Sequence, residues 1–400
     1  MTRDDLTFER AIGFAQDLIR IPSPPGGEGE AAARVMRELV TLGFSDVRSD
    51  EAGNVIGVAP GRGDAPPVML CSHLDIVDVG DLTTWEYAPF GGVIADGFLH
   101  GRGAMDIKGP LAIQTYAAAH FVREPAAGDV IVAHTVLEER GGWGMAHLMA
   151  TGAVKPAAIV IGEATHGDVC IGHRGRAELI VEVQGVAGHA SAPERARNPL
   201  LGIGAVIAAL DAFAHDLETD AVLGRSTAAP TMVETIPRSR NVIPDRARIV
   251  LDWRVLPGLL PDTALARLRE YLDRVRLAEG LRLDARFVTE TQRTWTGIED
   301  ERRLFTPGFL LEPTHPVVRA AARTITRRTG RAPELRPWTF ATDGGHSCGI
   351  HGIPTIGYAP GEERYAHTNR ERLDLADART AYDAYPAVIS SVFEALLTLA

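Results

Sequence analysis

The chain has 400 residues, 45% hydrophobic and 23% charged, with 41 glycines and 25 prolines. This is the composition of an ordinary globular protein of roughly two or three domains, and it excludes disordered, collagen-like and coiled-coil classes. A net charge of −11, with the arginines spread along the chain, excludes the basic field of a nucleic-acid protein and favours solubility.

Residues 6–20 place Leu6, Ala11, Ile12, Ala15, Leu18 and Ile19 at helical spacing and stop before Pro22. A turn-rich SPPGGEGE follows, then a second helix over 29–42 ended by Gly43. VMLCSHLD (68–75) reads as a strand running into a polar loop. Pro110 opens the helix LAIQTYAAAHFV, as proline does at a first helical position. DVIVAHTVLEE (129–139) and AAIVIGE (157–163) are buried strands with the helix WGMAHLMA between them. This alternation predicts an α/β domain with a mostly parallel sheet and helices on both faces.

The pattern changes near residue 175. RAELIVEVQGV (176–186) alternates apolar and polar residues, as a strand with one wet face does. A helix at 199–217, strands near 228–236 and at 246–256, a helix at 261–279 and a strand at 281–290 complete a strand-helix-strand-strand-helix-strand order. That order predicts a ferredoxin-like α+β unit, a small open sheet with two helices on one face. Residues 291–312 read as an irregular, aromatic return linker that includes TWTGIED. A helix at 315–330, the strand 352–358 and a helix at 376–398 resume the first style. The expected organisation is therefore 1–174 with 311–400 as one domain and 175–310 as an insert.

Cys71, Cys170 and Cys348 are too few and too scattered for a disulfide framework, which fits a reducing compartment. The N-terminus carries acids and no continuous apolar core, unlike a signal peptide. The longest apolar stretch, 200–210, is about half of a membrane span. A cytoplasmic protein with no membrane or nucleic-acid partner is expected.

Ligands of open α/β sheets bind beyond the carboxyl ends of the strands. His73 and Asp75 follow strand 68–72, Glu138 and Glu139 end strand 129–137, Glu163 ends strand 157–162, and His367 follows strand 352–358 by a loop. Asp106 lies in the glycine-rich loop HGRGAMDIKG. Each residue alone reads as an ordinary polar loop or helix cap. Together, acids that repeatedly end apolar strands would repel one another without a cation. Two histidines and three carboxylates suit two zinc-type ions with a loop carboxylate bridging them. The Glu138-Glu139 pair then supplies one ligand and one free base.

SHLDIV, GRGAMDIKG, LEERGG, IGEAT, GHAS, NVIPD-x8-R and AHTNRE occur in one order across essentially the whole chain. Together they resemble the clan MH metallopeptidases of the acetylornithine deacetylase, succinyl-diaminopimelate desuccinylase and glutamate carboxypeptidase family. The resemblance implies that His73 and Glu163 bind one metal, Glu139 and His367 the other, and that Asp106 bridges. It implies Glu138 as general base and Asp75 as the hydrogen-bond partner that fixes the His73 tautomer. The insert becomes a lid and dimerisation domain. His189, in GHAS, would stabilise the oxyanion in the partner subunit's site, and Asn241 and Arg254 would hold a substrate carboxylate.

The implied protein is a homodimeric, dinuclear amidohydrolase that cleaves an N-acyl amino acid or related small amide bearing a free carboxylate. Its ions would be zinc, with cobalt or manganese as alternatives. A dipeptidase or carboxypeptidase would use the same residues. A metal-free binding relative is disfavoured because no ligand and no Glu138 is missing. A serine hydrolase would need Gly345-His346-Ser347-Cys348-Gly349 as its nucleophile elbow, but the residues after it read as a strand rather than the required helix. His346, Cys348 and His351 then belong to an ordinary substrate-side loop. Gly202-Ile203-Gly204 lacks the context of a dinucleotide site.

Overall fold

The structure, a computed structural model, describes residues 7–399, which divide into two compact units. The first comprises residues up to His173, Gln292–Asp300 and the chain from Leu310 onward; the second comprises Arg174–Thr291 and Glu301–Phe309. The first helix runs Phe8–Ile19, capped by the Thr7 hydroxyl, and Leu6, where helical spacing begins, lies outside the described residues.

The sheet of the first unit has eight strands. At its centre Val130–Thr135, Val68–His73, Ala158–Ile161 and Thr355–Gly357 lie side by side and parallel. Every residue of these four strands is buried, as apolar runs in a sheet covered on both faces must be. Val68, Leu70, Val132 and Val160 face a core shared with helices Phe8–Ile19, Lys108–Arg123 and Leu375–Leu397, while Met69, Ile131 and Ile159 are equally buried on the opposite face. The sheet is parallel at its centre, as expected, and mixed outside it. A hairpin of Ser45–Ser49 and Val55–Ala59 adds an antiparallel edge, because a short turn can only return the chain antiparallel.

Lys108 is fully buried and donates from Nζ to the carbonyls of Leu18 and Ile21, satisfying the last turn of the first helix. Burial lowers its pKa to about 7. Among the described residues, no helix is long and apolar enough to cross a membrane.

The second unit carries an antiparallel sheet in the order Thr227–Ile236, Arg246–Val255, Gly175–Gln184, Arg282–Phe287. Helices Leu200–His215 and Pro261–Leu272 complete the split strand-helix-strand pattern. Arg246–Val255 alternates strictly between buried and half-buried residues. Ala247, Ile249, Leu251 and Trp253 point into a core with Val206, Leu210, Phe213 and Leu268. The second helix stops at Leu272 rather than 279: Val275 and Leu277 still pack on the core, but as loop residues.

The segment expected to be irregular contains a hairpin, Thr289–Arg293 and Glu299–Arg303. Its tip, Gln292–Asp300, belongs to the first compact unit. Thr294 and Gly297 (φ 100°) make the turn: the Thr294 hydroxyl accepts from the Ile298 amide, and the Thr294 amide donates to the Ile298 carbonyl.

Candidate metal centre

The parallel strands end together, and their ends converge. His73 is the last residue of its strand, Glu163 follows Ile161 by two residues, and Glu138 and Glu139 lie in the turn after Thr135. Asp106 comes from the loop before helix Lys108–Arg123, and His367 from the loop after Thr355–Gly357, with a left-handed φ of 60°.

The Asp106 carboxylate spans two imidazoles. Its Oδ1 lies 3.2 Å from His73 Nε2 and its Oδ2 lies 3.2 Å from His367 Nε2. Glu163 Oε1 is 3.2 Å from His73 Nε2, and Glu139 Oε1 is 3.1 Å from His367 Nε2. His73, Asp106 and Glu139 form one set of ligand atoms within 4.8 Å of one another; His73, Glu138 and Glu163 form another. His73 Nδ1 faces the main-chain oxygen of Asp75 at 2.9 Å, which can only accept, so Nδ1 carries a proton and Nε2 is the nitrogen turned to the cluster.

The electrostatics follow from packing acids together out of water. Burial and the Asp106 charge raise Glu163 to about 7. Burial and neighbouring acids push Glu138 well above the carboxylate range, and burial and Asp106 raise Glu139. Burial opposes a charge on His73, but the carboxylates of Asp106, Asp75 and Glu163 outweigh it and hold the imidazole well above its usual value. Asp106 and Glu139 raise His367 to about 10. Burial also opposes the charge of Asp106, yet the two imidazoles keep it below the usual range. A pocket that draws in positive charge this strongly, with mixed nitrogen and oxygen donors, fits two divalent cations.

The turn bearing Glu138 and Glu139 is held through its own amides. Val136 N donates to Asn54 Oδ1 (3.0 Å), Leu137 N to Glu28 Oε1 (3.1 Å), Glu138 N to Asp75 Oδ1 (3.1 Å) and Glu139 N to Asp75 Oδ2 (3.0 Å). Four successive amides that leave the sheet thus find side-chain acceptors from three other segments, as buried amides require. Leu137 takes a left-handed φ of 54° within this turn, so adjacent glutamates need not point to opposite sides as they would in a strand. Asp75 thus has a second contact besides the one expected with His73. Its carboxylate stands 3.5 Å from His73 Nδ1, the main-chain oxygen orients the ring, and the carboxylate itself clamps the Glu138-Glu139 backbone.

Two buried acids were not singled out from sequence. Glu28 is fully buried, and burial together with the Asp75 charge raises its pKa to about 7. Glu371 accepts from the amides of Met105 and Asp106 and pairs with Arg102, which orients the Asp106 loop. Glu371 follows His367 by four residues, the one signal that links it to the site; Glu28 sits among glycines in a polar loop and gives none.

His189, Asn241 and Arg254 lie in the second unit. His189 pairs with Val242, and the Ala190 amide donates to the Asn241 carbonyl, so GHAS and NVIPD are neighbours. His189 is exposed, and its Nδ1 accepts from the Ser191 amide at 3.1 Å, which leaves the proton of the neutral ring on Nε2. Arg254 forks onto Asp252, with Nε to Oδ1 at 2.8 Å and Nη2 to Oδ2 at 3.3 Å.

Ser347 is fully buried, lies 2.9 Å from Thr355 Oγ1 and sits in a single π-helical turn, Gly345–Ile350, so it is no exposed nucleophile. Among the described residues, His346, Cys348 and His351 join no metal-competent set; His346 donates from Nε2 to the Gly141 carbonyl.

The family model for Peptidase family M20/M25/M40 matches residues 69–391. The chain is 30% identical over 380 residues to the uncharacterized protein YgeY of Escherichia coli strain K12, covering 94% of this chain and 92% of that protein. It is 32% identical over 401 residues to a succinyl-diaminopimelate desuccinylase of Methylobacterium nodulans, covering 94% and 96%. Its fold is similar to that of an M20 family metallo-carboxypeptidase from Sulfolobus solfataricus, with a TM-score of 0.77 at 17% identity, covering 96% of this chain and 99% of that one.

Proposed function

The chain belongs to peptidase family M20/M25/M40 and is a metal-dependent amidohydrolase; on that premise we propose that it cleaves the amide of an N-acyl amino acid, or a related small amide with a free carboxylate. The observation that carries this reading is the Asp106 carboxylate spanning His73 and His367, with Glu163 beside the first imidazole and Glu139 beside the second. His73 and Glu163 would hold one divalent ion, His367 and Glu139 the other, and Asp106 both. Zinc suits this donor set best, with cobalt and manganese as alternatives. When bound, such ions lower the pKa of water and polarise a carbonyl.

The chain's own groups do the rest. Glu138, held by the Asp75 clamp beside His73 and Glu163, takes the proton of the attacking water and passes it to the leaving nitrogen. His189 donates from Nε2 to the developing oxyanion. Asn241 and Arg254 hold the substrate carboxylate, for which Arg254 must exchange or share its fork with Asp252.

The second unit serves as lid and dimerisation domain of a cytoplasmic homodimer. Strand Thr227–Ile236 is a sheet edge with Met232 and Val233 exposed, and helix Leu200–His215 exposes Leu200, Leu201 and Ile207. An unpaired edge beside an apolar helix face is the surface a second copy would cover. His189 of one subunit then serves the site of the other.

The deciding experiment is a hydrolysis screen of N-acyl amino acids, dipeptides and longer peptides with metal-reconstituted protein. Faster turnover of N-acyl amino acids is expected, consistent with the relative named as a desuccinylase. Preference for dipeptides or for release of C-terminal residues would replace this reading with that of a dipeptidase or carboxypeptidase.

A further inference from the structure

The hairpin tip with the sequence Gln292-Arg293-Thr294-Trp295-Thr296-Gly297 has no part in the reaction described above, yet it is fastened to the loops that hold the Glu138-Glu139 turn. Trp295 Nε1 donates to the Gly53 carbonyl at 3.1 Å, and Thr296 Oγ1 donates to the Glu51 carbonyl at 2.7 Å. Asn54, which follows Gly53, accepts from the Val136 amide. Gln292 is buried and donates from Nε2 to the Arg140 carbonyl at 2.7 Å, one residue beyond Glu139. Arg293 passes so close to Gly26 (φ 80°) that a Cβ there would stand 2.5 Å from the Arg293 carbonyl oxygen. A Cβ at Gly29 would stand 3.1 Å from the Trp295 ring, and one at Gly53 would overlap the indole nitrogen. Gly26 and Gly29 flank Glu28, whose carboxylate accepts from Leu137 N.

Glycine is therefore required on both of these loops because the tip occupies the side-chain space. Both segments that supply acceptors from outside the strand ends, 26–29 and 50–54, are braced by one short piece of chain. That piece also grips the far end of the turn through Arg140. The turn itself has left the sheet: its carbonyls are taken locally by the amides of Gly141, Gly142 and Gly144, its amides depend on these acceptors from other segments, and a left-handed residue stands at its centre. A carboxylate used for proton transfer and one used as a ligand both lose efficiency when displaced by a fraction of an ångström, so the brace matters to function beyond its share of stability.

We propose that Gln292 and Trp295 are positioning residues for the catalytic turn: the hairpin tip fixes Glu138 and Glu139 through the Glu28 loop, the Asn54 loop and the Arg140 carbonyl. This rests on the reading of Glu138 as base and Glu139 as ligand. The tip acts through backbone, its bonds running to the carbonyls of Arg140, Gly53 and Glu51.

The test compares wild type, Gln292→Ala, Trp295→Ala and the conservative Trp295→Phe in the full chain. Amide hydrogen exchange is followed at 136–140 and, as an internal reference, at Val130–Thr135. The expected result is exchange at 136–140 faster by about tenfold or more in both alanine variants, with the reference strand unchanged. Bound metal should fall toward one ion per chain, and kcat should drop about tenfold or more with little change in KM. Trp295→Phe, which keeps the ring between Gly29 and Gly53, should recover most of the protection and of kcat. Exchange within twofold of wild type in both alanine variants would overturn the proposal, and so would exchange that rises equally in the reference strand. A wild-type chain that hydrolyses no amide in the screen would count against the proposed reaction, while the exchange result would still decide the positioning.

Discussion

Strand Val130–Thr135 of the first unit and strand Arg246–Val255 of the second end very differently. The first is buried throughout and runs out into a turn whose four amides are taken by Asn54, Glu28 and Asp75, so that two carboxylates enter one buried cluster. The second alternates apolar and charged residues, and its charges stay on the wetter face. There Arg248 pairs with Glu182 and Glu234, and Arg254 and Arg176 share Asp252. The same residue types thus do opposite work. In the second unit these charges pair with opposite charges, Arg248 with Glu182 and Arg176 with Asp252 across the ladder and Arg254 with Asp252 along its own strand. In the first, acids face acids, and their burial is tolerated because imidazoles and, in the working protein, cations offset it. Concentration of buried acid at strand ends, rather than charge content, marks the functional unit.

The largest expected effects come from breaking the first pattern. Glu138→Gln should retain metal and fold but lose about 10²-fold or more in kcat. Glu139→Gln should lose metal instead; the reverse pattern in elemental analysis and kinetics would exchange their roles. His189→Ala in the second unit should also be nearly inactive, although its site lies on a unit with no acidic cluster of its own. Mixing His189→Ala with Glu138→Gln should restore activity to about a quarter of wild type when subunits exchange, because half the dimers are mixed and one of their two sites is whole. No recovery despite exchange verified by differently tagged chains would confine His189 to its own subunit.

A smaller effect concerns acid stability. His134, within strand Val130–Thr135, is fully buried, and burial lowers its pKa to about 3. The unfolded chain binds this proton near the ordinary imidazole value while the folded chain does not. Stability from this site is therefore complete above about pH 6.5 and declines as pH falls toward 3, by about 1.4 kcal/mol per unit at most. Urea unfolding of His134→Gln across pH 7 to 5 should show a shallower decline than wild type. The smallest effect belongs to the second unit: breaking the exposed pair Arg267–Glu218 with Arg267→Ala should shift stability by no more than about 0.5–1 kcal/mol by the same method.

The contrast also explains what was legible in the sequence. In the second unit, period-two alternation in residues 246–255 maps directly onto buried and half-buried faces, and that in 176–184 does so except at Glu182, which is buried where it pairs with Arg248. In the first unit, apolar runs announced the central strands, and the acids at their ends pointed to the cluster that brings His73, Asp106, Glu139, Glu163 and His367 together. The edge hairpin Ser45–Ser49 with Val55–Ala59 was not legible, because SDVRS carries no apolar run and owes its conformation to pairing with its neighbour. Nor was the work of Glu28, Asn54 and Gln292. Each sits in a polar loop and acquires its role only from a backbone amide or carbonyl far away in sequence, which leaves no local pattern. Asp75 was recognisable as a residue of the site, but its contact with the Glu138 and Glu139 amides depends on tertiary geometry.

We propose that the acids and imidazoles at these strand ends exist to hold two divalent ions for amide hydrolysis. Elemental analysis of the purified chain, coupled to hydrolysis of an N-acyl amino acid before and after chelation, tests it most directly. About two zinc-class ions per fully loaded chain, with activity abolished by the chelator and restored by metal, is the expected result. A chain without bound metal whose activity is undiminished by chelation would contradict it.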